Sequence, residues 1–155
     1  NITETVEEGK PNIITSLELR SEEMEVINLR IQKKYKEIEE KEVRFEEYLL
    51  EDAEYAIVAF GSAARIAKKS IEIARSQGIK VGLLRPITLW PFPTKEVQKL
   101  AGKVKGILSL EINAGQMVED IRLAVEGKVP VQHFGRLGGI IPDPDEVVDA
   151  IKRLF

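Results

Sequence analysis

Residues 52–155 repeat one pattern four times: a short apolar segment, then a helical segment that ends near a glycine or at the chain's last residues. The apolar segments are short and rich in Val, Ile and Leu, which is typical of buried strands. Alternating strands and helices with short links predict a parallel sheet whose right-handed crossovers place helices on both faces. This part is therefore predicted to be a small doubly wound α/β domain. The predicted strands are residues 55–60, 80–85, 106–112 and 129–134.

The first 50 residues differ in composition from that domain. Residues 1–18 mix Thr, Glu, Gly and Pro and predict a tail that contains one candidate edge strand. Residues 21–50 are rich in Glu, Lys and Arg, and their apolar residues, Phe45 and Leu49 among them, follow helical intervals. Such spacing predicts an amphipathic helix with one apolar stripe. We therefore expect a tail and connecting helix over residues 1–50 and the α/β domain over residues 51–155.

Composition excludes several classes of function. The formal net charge of -3 and the pI of about 5.4 give no basic surface for nucleic acid or an anionic membrane. The absence of Cys excludes disulfides, thiolate-held clusters and zinc thiolates within these residues. The one His, His133, is expected to be a packed, hydrogen-bonded ring.

Without an apolar run of roughly 20 residues or a signal-peptide pattern, a cytoplasmic protein is expected. A high content of Lys and Glu together with the absence of Cys is typical of proteins from thermophiles.

Unusual residues gather in the loops that follow the predicted strands. In open parallel sheets, ligands and partners meet the loops at the carboxyl ends of the strands. Residues 85–93, at the end of the second strand and in the loop after it, hold three prolines and two large aromatic side chains, which make a stiff apolar projection. This loop either folds onto the domain or is covered by a partner. The loop-edge candidates are Gly61, Ser62, Arg85, Trp90, Phe92, Glu111, Asn113, Gln116 and Arg136.

Each polar candidate has a structural alternative to ligand binding. Ser62 either presents its hydroxyl to an anion or caps its own helix. Glu111, Asn113 and Gln116 either contact a ligand or satisfy backbone groups of their loop. Arg136 either binds a carboxylate or phosphate or forms a salt bridge in an interface. Because no nucleophile, metal cage or tuned acid–base pair accompanies these residues, we predict a docking surface at this edge.

Three motifs, taken in their order and spacing, resemble a known family. They are RPITLWPFP at residues 85–93, EINAGQM at residues 111–117 and GRLGG at residues 135–139. From about residue 51 to residue 155, the chain resembles the C-terminal domain of the alpha subunit of 2-oxoacid:ferredoxin oxidoreductases. The charged helix before it resembles the connecting helix of that subunit.

The resemblance implies a fold similar to the transketolase C-terminal domain. That fold is a three-layer, mostly parallel sheet of four to five strands with one antiparallel edge strand, preceded here by the charged amphipathic helix. Residues 13–16 are the candidate for the antiparallel strand. In this topology the first and third predicted strands are neighbours, so a crevice is expected between Gly61-Ser62 and residues 111–116.

The resemblance also implies an activity for the complete enzyme. That enzyme oxidatively decarboxylates a 2-oxoacid to an acyl-coenzyme A with thiamine diphosphate, Mg²⁺ and iron–sulfur clusters, and ferredoxin accepts the electrons. The family's catalytic glutamate lies in a preceding domain and the diphosphate and Mg²⁺ are held by another subunit, so this chain alone is expected to bind no cofactor and to catalyse nothing.

The expected partners are the rest of the alpha subunit, the beta subunit and other subunits of the oxidoreductase, with ferredoxin as an indirect partner. Neither the substrate 2-oxoacid nor the oligomeric state follows from these residues. Three alternatives stay open: a small-anion or coenzyme A-binding module, the C-terminal domain of another thiamine diphosphate enzyme, and an oligomerisation domain that forms homo-oligomers.

Overall fold

The computed structural model describes residues 17–154 and divides the chain into two compact units, Asn1–Glu37 and Ile38–Phe155. The predicted charged helix is present as α1, Ser21–Lys41, and none of its residues is buried. Acidic residues in its first turn and Lys41 in its last turn suit the helix dipole. The candidate edge strand at residues 13–16 lies outside the described residues.

The helix ends at Lys41, so the prediction that it continues to residue 50 is wrong. Phe45–Tyr48 instead form a strand, β1, which pairs antiparallel with β3, Val81–Pro86. The helical spacing of Phe45 and Leu49 was misleading because pairing with a distant strand decides the conformation here. β1 is thus the antiparallel edge strand that the family resemblance implied, formed by residues that follow the helix.

A five-stranded sheet with helices on both faces forms the domain. Its strand order is β1-β3-β2-β4-β5, and β2 to β5 are parallel. The prediction that the first and third apolar segments are adjacent strands is confirmed, because β2 pairs with β4. The three-layer, mostly parallel fold is therefore as predicted. The remaining elements are β2 Tyr55–Ala59, α2 Gly61–Ser76, α3 Thr94–Ala101, β4 Gly106–Glu111, α4 Met117–Val125, β5 Val131–Gly135 and α5 Pro144–Lys152.

Alternating strand residues feed two hydrophobic clusters, one on each face of the sheet. Ile57 packs on the face covered by α2 and α5, where α2 contributes an alanine-rich surface. Val58 packs on the opposite face, covered by α3 and α4. Burial on both faces explains why β2, β3 and β4 are mostly apolar in sequence.

Arg75, near the end of α2, joins β1 to the rest of the domain. Its guanidinium donates to the carbonyl oxygens of Val81 at 2.8 Å and Leu49 at 2.7 Å. It also binds both carboxylate oxygens of Asp52, at 3.2 and 2.7 Å. The hydrogen bonds from Arg75 hold the pKa of Asp52 below its usual value. One side chain therefore connects the loop after β1, the start of β3 and α2.

Candidate functional site

The nine loop-edge candidates occupy four places at the strand ends. Glu111 ends β4, and Asn113 and Gln116 belong to the loop between β4 and α4. Gly61 and Arg85 line a small basic pocket, and Ser62 follows Gly61. Trp90 and Phe92 line a larger cleft, whereas Arg136 pairs with α5. The candidates therefore do not converge on one site.

Glu111 is fully buried at the end of β4, and its carboxylate serves the backbone of its own chain. Oε2 accepts hydrogen bonds from the N–H groups of Gln116 at 3.1 Å and Met117 at 2.9 Å. Oε1 accepts from the N–H of Val118 at 3.0 Å and from the hydroxyl of Ser109 at 2.9 Å. The carboxylate thus caps α4, whose N-cap residue Gln116 forms no side-chain cap.

The electrostatics of Glu111 follow from two opposed effects. Burial alone would raise its pKa, but the N–H groups of Met117 and Gln116 and the Ser109 hydroxyl lower it. The donors prevail, and the pKa of Glu111 lies below its ordinary value. A carboxylate held ionised in this way, with its oxygens occupied, is a structural anion rather than a proton-transfer group.

His133 lies beside this carboxylate, with Nε2 3.8 Å from Oε1 of Glu111. The ring is packed as predicted, but its Nε2 has no hydrogen-bond partner within residues 17–154. The ring also explains Gly135, since a Cβ there would lie 2.6 Å from Cε1 of His133 and 2.3 Å from the carbonyl oxygen of Asn113. Asn113 itself accepts from the N–H of Gly115 through Oδ1 at 2.7 Å. The loops after β4 and β5 are therefore closely packed.

A small basic pocket of about 130 Å³ lies at the start of α2. Gly61 begins that helix with a φ of 54°, which favours glycine. Phe60 is the N-cap residue and Ser62 lies exposed in the first turn, so the alternative that Ser62 caps its helix is wrong. Arg65, Lys68 and Arg85 also line the pocket.

The charges of this basic pocket are partly compensated by Glu46 of β1. Its carboxylate binds Nζ of Lys68 at 2.5 Å and Nη1 of Arg85 at 2.9 Å. Hydrogen bonds from Lys68 and then Arg85 lower the pKa of Glu46. Nε of Arg85 is buried and has no hydrogen-bond partner in the described part of the chain. Arg65 is exposed, which leaves the pocket with an excess of positive charge.

Arg136 forms an ion pair inside the domain. Its guanidinium binds Glu146 of α5, with Nε 3.3 Å from Oε2 and Nη2 on Oε1. Glu146 also accepts from the N–H of Asp143 at 3.2 Å, which completes the capping box of α5. Arg136 therefore holds the glycine-rich loop to α5 through this ion pair.

The proline-rich loop is partly folded down and partly exposed. Pro91 and Pro93 are buried, whereas 55% of Trp90 is exposed. The Thr88 hydroxyl accepts from the N–H of Arg44 at 3.0 Å and donates to the carbonyl oxygen of Pro91 at 3.0 Å. The buried prolines confirm that part of the loop folds onto the domain, and coverage of the exposed part by a partner stays a prediction.

An open cleft of about 550 Å³ runs along this loop, and we call it the acidic cleft. Its apolar side chains include Phe45, Trp90 and Phe92, and its charged ones are Glu39, Glu40, Lys95 and Glu96. Sequence reasoning found Trp90 and Phe92 but missed Phe45, Glu39 and Glu40, which it placed in a continuous helix. Their nearness to the loop depends on β1 lying beside β3, for which the sequence gives no local signal.

The residues present do not fit the cofactors of the complete enzyme that the resemblance implies. Within residues 17–154, no three His, Asp or Glu side chains come together where a metal ion could bind. The chain offers no thiolate for a cluster, and the carboxylate of Glu111 is already occupied by backbone donors. No catalytic step is therefore assigned to these residues. Among the helices described, none has the length and apolar character needed to cross a membrane.

Residues 53–147 match the family model of pyruvate:ferredoxin oxidoreductase core domain II. The chain is 44% identical over 147 residues to ketoisovalerate oxidoreductase subunit VorB of Methanothermobacter thermautotrophicus, covering 95% of this chain and 42% of that protein. It is 30% identical over 104 residues to 2-oxoglutarate synthase subunit KorA of Methanothermobacter marburgensis, covering 67% and 28%. The chain thus spans less than half the length of these relatives.

Two solved structures share the fold. One is 2-oxoglutarate:ferredoxin oxidoreductase from Magnetococcus marinus with 2-oxoglutarate, coenzyme A and succinyl-CoA bound, at a TM-score of 0.74 and 21% identity, covering 88% of this chain and 24% of that one. The other is a split-gene transketolase in an inactive β4 tetramer, at a TM-score of 0.62 and 17% identity, covering 72% and 41%. On the match over residues 53–147, the chain belongs to the pyruvate:ferredoxin oxidoreductase core domain II family, a domain of 2-oxoacid:ferredoxin oxidoreductase subunits.

Proposed function

We propose that this chain is the C-terminal domain of the alpha subunit of a thiamine diphosphate-dependent 2-oxoacid:ferredoxin oxidoreductase, and that it packs subunits and domains together rather than performing chemistry. The family match over residues 53–147 is the observation that carries this proposal. Thiamine diphosphate, Mg²⁺ and the iron–sulfur clusters would be held by the other parts of the enzyme. The residues proposed for packing are the accessible loop-edge candidates, such as Trp90, and the residues that line the acidic cleft.

The contacts at the strand ends support a packing role. Glu111, the one Asp or Glu fully buried in the described chain, is used to cap α4, and Arg136 is used to hold α5. Several large apolar side chains remain accessible, among them Ile87, Leu89 and Trp90, which are each about half exposed. A partner that covers these side chains would remove apolar surface from water, which favours association.

Reconstitution of the enzyme tests the proposal. The chain is coexpressed with the rest of an alpha subunit and a beta subunit of the related VorB-containing enzyme, and copurification and 2-oxoacid-dependent reduction of an acceptor dye are measured. We expect copurification, and activity that is lost when this domain is deleted. Retention of an intact and fully active complex without the domain would contradict the proposal.

The substrate of that enzyme is proposed to be a branched-chain 2-oxoacid. The relative that is 44% identical carries ketoisovalerate in its name, whereas the 2-oxoglutarate relative is 30% identical over a shorter stretch. Dye reduction by the reconstituted enzyme is compared for ketoisovalerate, 2-oxoglutarate and pyruvate. A kcat/KM that is highest for 2-oxoglutarate or pyruvate would reject the branched-chain assignment without affecting the packing role.

The basic pocket favours a second candidate function, the binding of a small anion such as a phosphate of coenzyme A. Arg65, Lys68 and Arg85 line it at the amino end of α2, where N–H groups also favour anions. Calorimetry of the full chain against coenzyme A, thiamine diphosphate and inorganic phosphate tests this function. A heat of binding that is lost in the Arg65→Ala variant supports anion binding by this pocket. The absence of a heat of binding with all three ligands rejects it.

A further inference from the structure

The acidic cleft combines apolar and charged surface. Its apolar lining, which we call the floor, includes the side chains of Phe45, Trp90 and Phe92. Its charged lining, which we call the rim, has the carboxylates of Glu39, Glu40 and Glu96 and one ammonium, that of Lys95. Its volume of about 550 Å³ falls within the range of roughly 300–1,000 Å³ that is usual for specific binding sites.

The carboxylates of Glu39 and Glu40 are not neutralised by the described chain. Neither forms an ion pair within residues 17–154, whereas Glu96 accepts a hydrogen bond from Nζ of Lys99 at 3.3 Å. Both also lie in the last turn of α1, where the helix dipole is negative and acidic side chains are unfavourable. A cation placed in the cleft would therefore interact favourably with two carboxylates and with the carboxyl end of the helix.

Flat aromatic surface beside carboxylates suits one side chain better than any other. The guanidinium of arginine is planar, stacks on aromatic faces and binds carboxylates through two parallel N–H donors. The ammonium of lysine is more strongly hydrated and lacks the planar fork. The chemistry of the cleft thus selects arginine among the cationic side chains.

Neither residues 1–16 nor a second copy of the chain has a charge that suits the acidic cleft. Residues 1–16 carry Glu4, Glu7 and Glu8 against Lys10, which repeats the sign of the cleft. A second copy of the chain carries a formal net charge of -3 and is likewise repelled at long range. Charge complementarity therefore points to a different polypeptide.

We propose that the acidic cleft is a docking site for an arginine side chain of a partner subunit. The guanidinium lies over the aromatic floor and donates to Glu39 and Glu40, and apolar neighbours of that arginine cover Phe45 and Trp90. This inference rests on the proposed function for the identity of the partner, which is a subunit of the same oxidoreductase. It adds the contact surface and the chemistry that recognises it.

Neutralising the rim without changing its shape tests the inference. The variant Glu39→Gln/Glu40→Gln is introduced into the full chain, and its Kd for the coexpressed partner subunits is measured at low and high KCl. We expect Kd to rise about tenfold at low salt and the salt dependence of Kd to flatten, since a charge pair contributes only where it is unscreened. The control Glu119→Gln/Asp120→Asn removes two exposed carboxylates of α4 and should leave Kd unchanged within about twofold.

Two outcomes of this experiment overturn the inference. If the Gln variant binds as the wild type does while Phe45→Ala weakens binding, the occupant is apolar and not an arginine. If sedimentation shows that the chain forms a dimer that Phe45→Ala dissociates, the occupant is a second copy.

A peptide experiment separates failure of the inference from failure of the proposed function. Trp90 is the single tryptophan of the chain, so its fluorescence reports directly on the cleft. The full chain is titrated with acetyl-Leu-Arg-Leu-amide and with the same peptide carrying citrulline, which keeps the shape and removes the charge. We expect a saturable change with arginine that is at least about fivefold weaker with citrulline. Equal responses would overturn the inference even if the subunits assemble. A selective response from a chain that fails to assemble with the subunits would support arginine recognition by the cleft and contradict the proposed function.

Discussion

A fully buried carboxylate is costly unless donors replace the water that it loses. At Glu111 three backbone N–H groups and one hydroxyl do so, and the amino end of α4 adds a favourable dipole. The three contacts to backbone N–H groups join β4 to the start of α4 through one side chain. The stability of this end of the sheet therefore depends on the negative charge of Glu111.

We predict that Glu111→Gln lowers the free energy of unfolding by about 3 kcal/mol, because hydrogen bonds to a charged group contribute about 1.5–3 kcal/mol each and the new NH₂ group faces donors. Urea denaturation followed by circular dichroism measures the loss. Glu119→Gln, at an exposed position of α4, is the matched control and should change stability by less than about 0.5 kcal/mol. A loss as small as that in the Glu111 variant would show that its carboxylate does not stabilise the fold.

The pH dependence of stability should carry the signature of the same residue. The pKa of Glu111 lies below its ordinary value of 4.5, so its contribution is complete above that value and is lost as pH falls through the pKa of the folded state. We therefore expect the stability difference between wild type and Glu111→Gln to be largest near neutral pH and to shrink as the pH is lowered through the pKa of the folded state. Urea titrations of both proteins over this range measure it. A difference that stays constant with pH would contradict the ionised state.

Gly135 should tolerate no side chain because its missing Cβ leaves room for the ring of His133 and the carbonyl oxygen of Asn113. We predict that Gly135→Ala destabilises the domain by about 1–3 kcal/mol, since one neighbour is backbone and cannot rotate away. Gly102→Ala is the control, because its nearest neighbour would be an ordinary 3.4 Å away. Thermal unfolding of the two variants provides the comparison, and equal midpoints would refute the close packing.

At the scale of elements, local pattern predicts four of the five strands. Residues 55–60, 80–85 and 106–112 are mostly apolar, as expected for strands buried on both faces. Residues 129–134 follow from their place in the alternation of strands and helices, and β5 is half-buried at the edge of the sheet. The strand β1 was missed because Phe45 and Leu49 keep a helical interval, and only pairing with β3 determines the strand. Local signals therefore fail where a partner distant in sequence decides the conformation.

The same distinction explains the candidate site. That the unusual loops lie at one edge follows from the strand direction alone. Their division into separate places does not, because it depends on pairings such as Arg136 with Glu146 and Glu46 with Arg85 across elements. The capping of α4 by Glu111 is partly predictable from sequence. The capping N–H groups follow Glu111 within seven residues, and satisfaction of the loop's backbone groups was one of the two roles considered for this side chain.

Arg75 is predicted to control the attachment of β1. Arg75→Lys keeps the charge but cannot reach the carbonyl oxygens of Leu49 and Val81 and both oxygens of Asp52 together. We expect the amides of β1 to exchange with solvent about tenfold faster, with the amides of β4 unchanged. Hydrogen exchange followed by mass spectrometry gives the result, with Lys69→Met on the exposed side of α2 as the control. Equal protection of β1 in all three proteins would show that Arg75 is dispensable.

At the scale of the whole molecule, the residue at which the independently folding unit begins can be tested. All five strands and both hydrophobic clusters lie within residues 38–155, and no residue of α1 is buried. We predict that a fragment of residues 38–155 unfolds at the same urea midpoint as the full chain. A fragment of residues 51–155, which follows the boundary expected from sequence, lacks β1 and its four paired positions on β3 and should unfold at a clearly lower urea concentration. Equal midpoints for the two fragments would place the boundary at residue 51.

The edge strand β1 also affects how the molecule behaves at high concentration. An edge strand has unpaired backbone groups and is a template for uncontrolled growth of a sheet from one molecule to the next. Glu46 and Glu47 occupy the centre of β1, so an incoming copy would bring like charges into register. The two carboxylates therefore disfavour extension of the sheet at this edge.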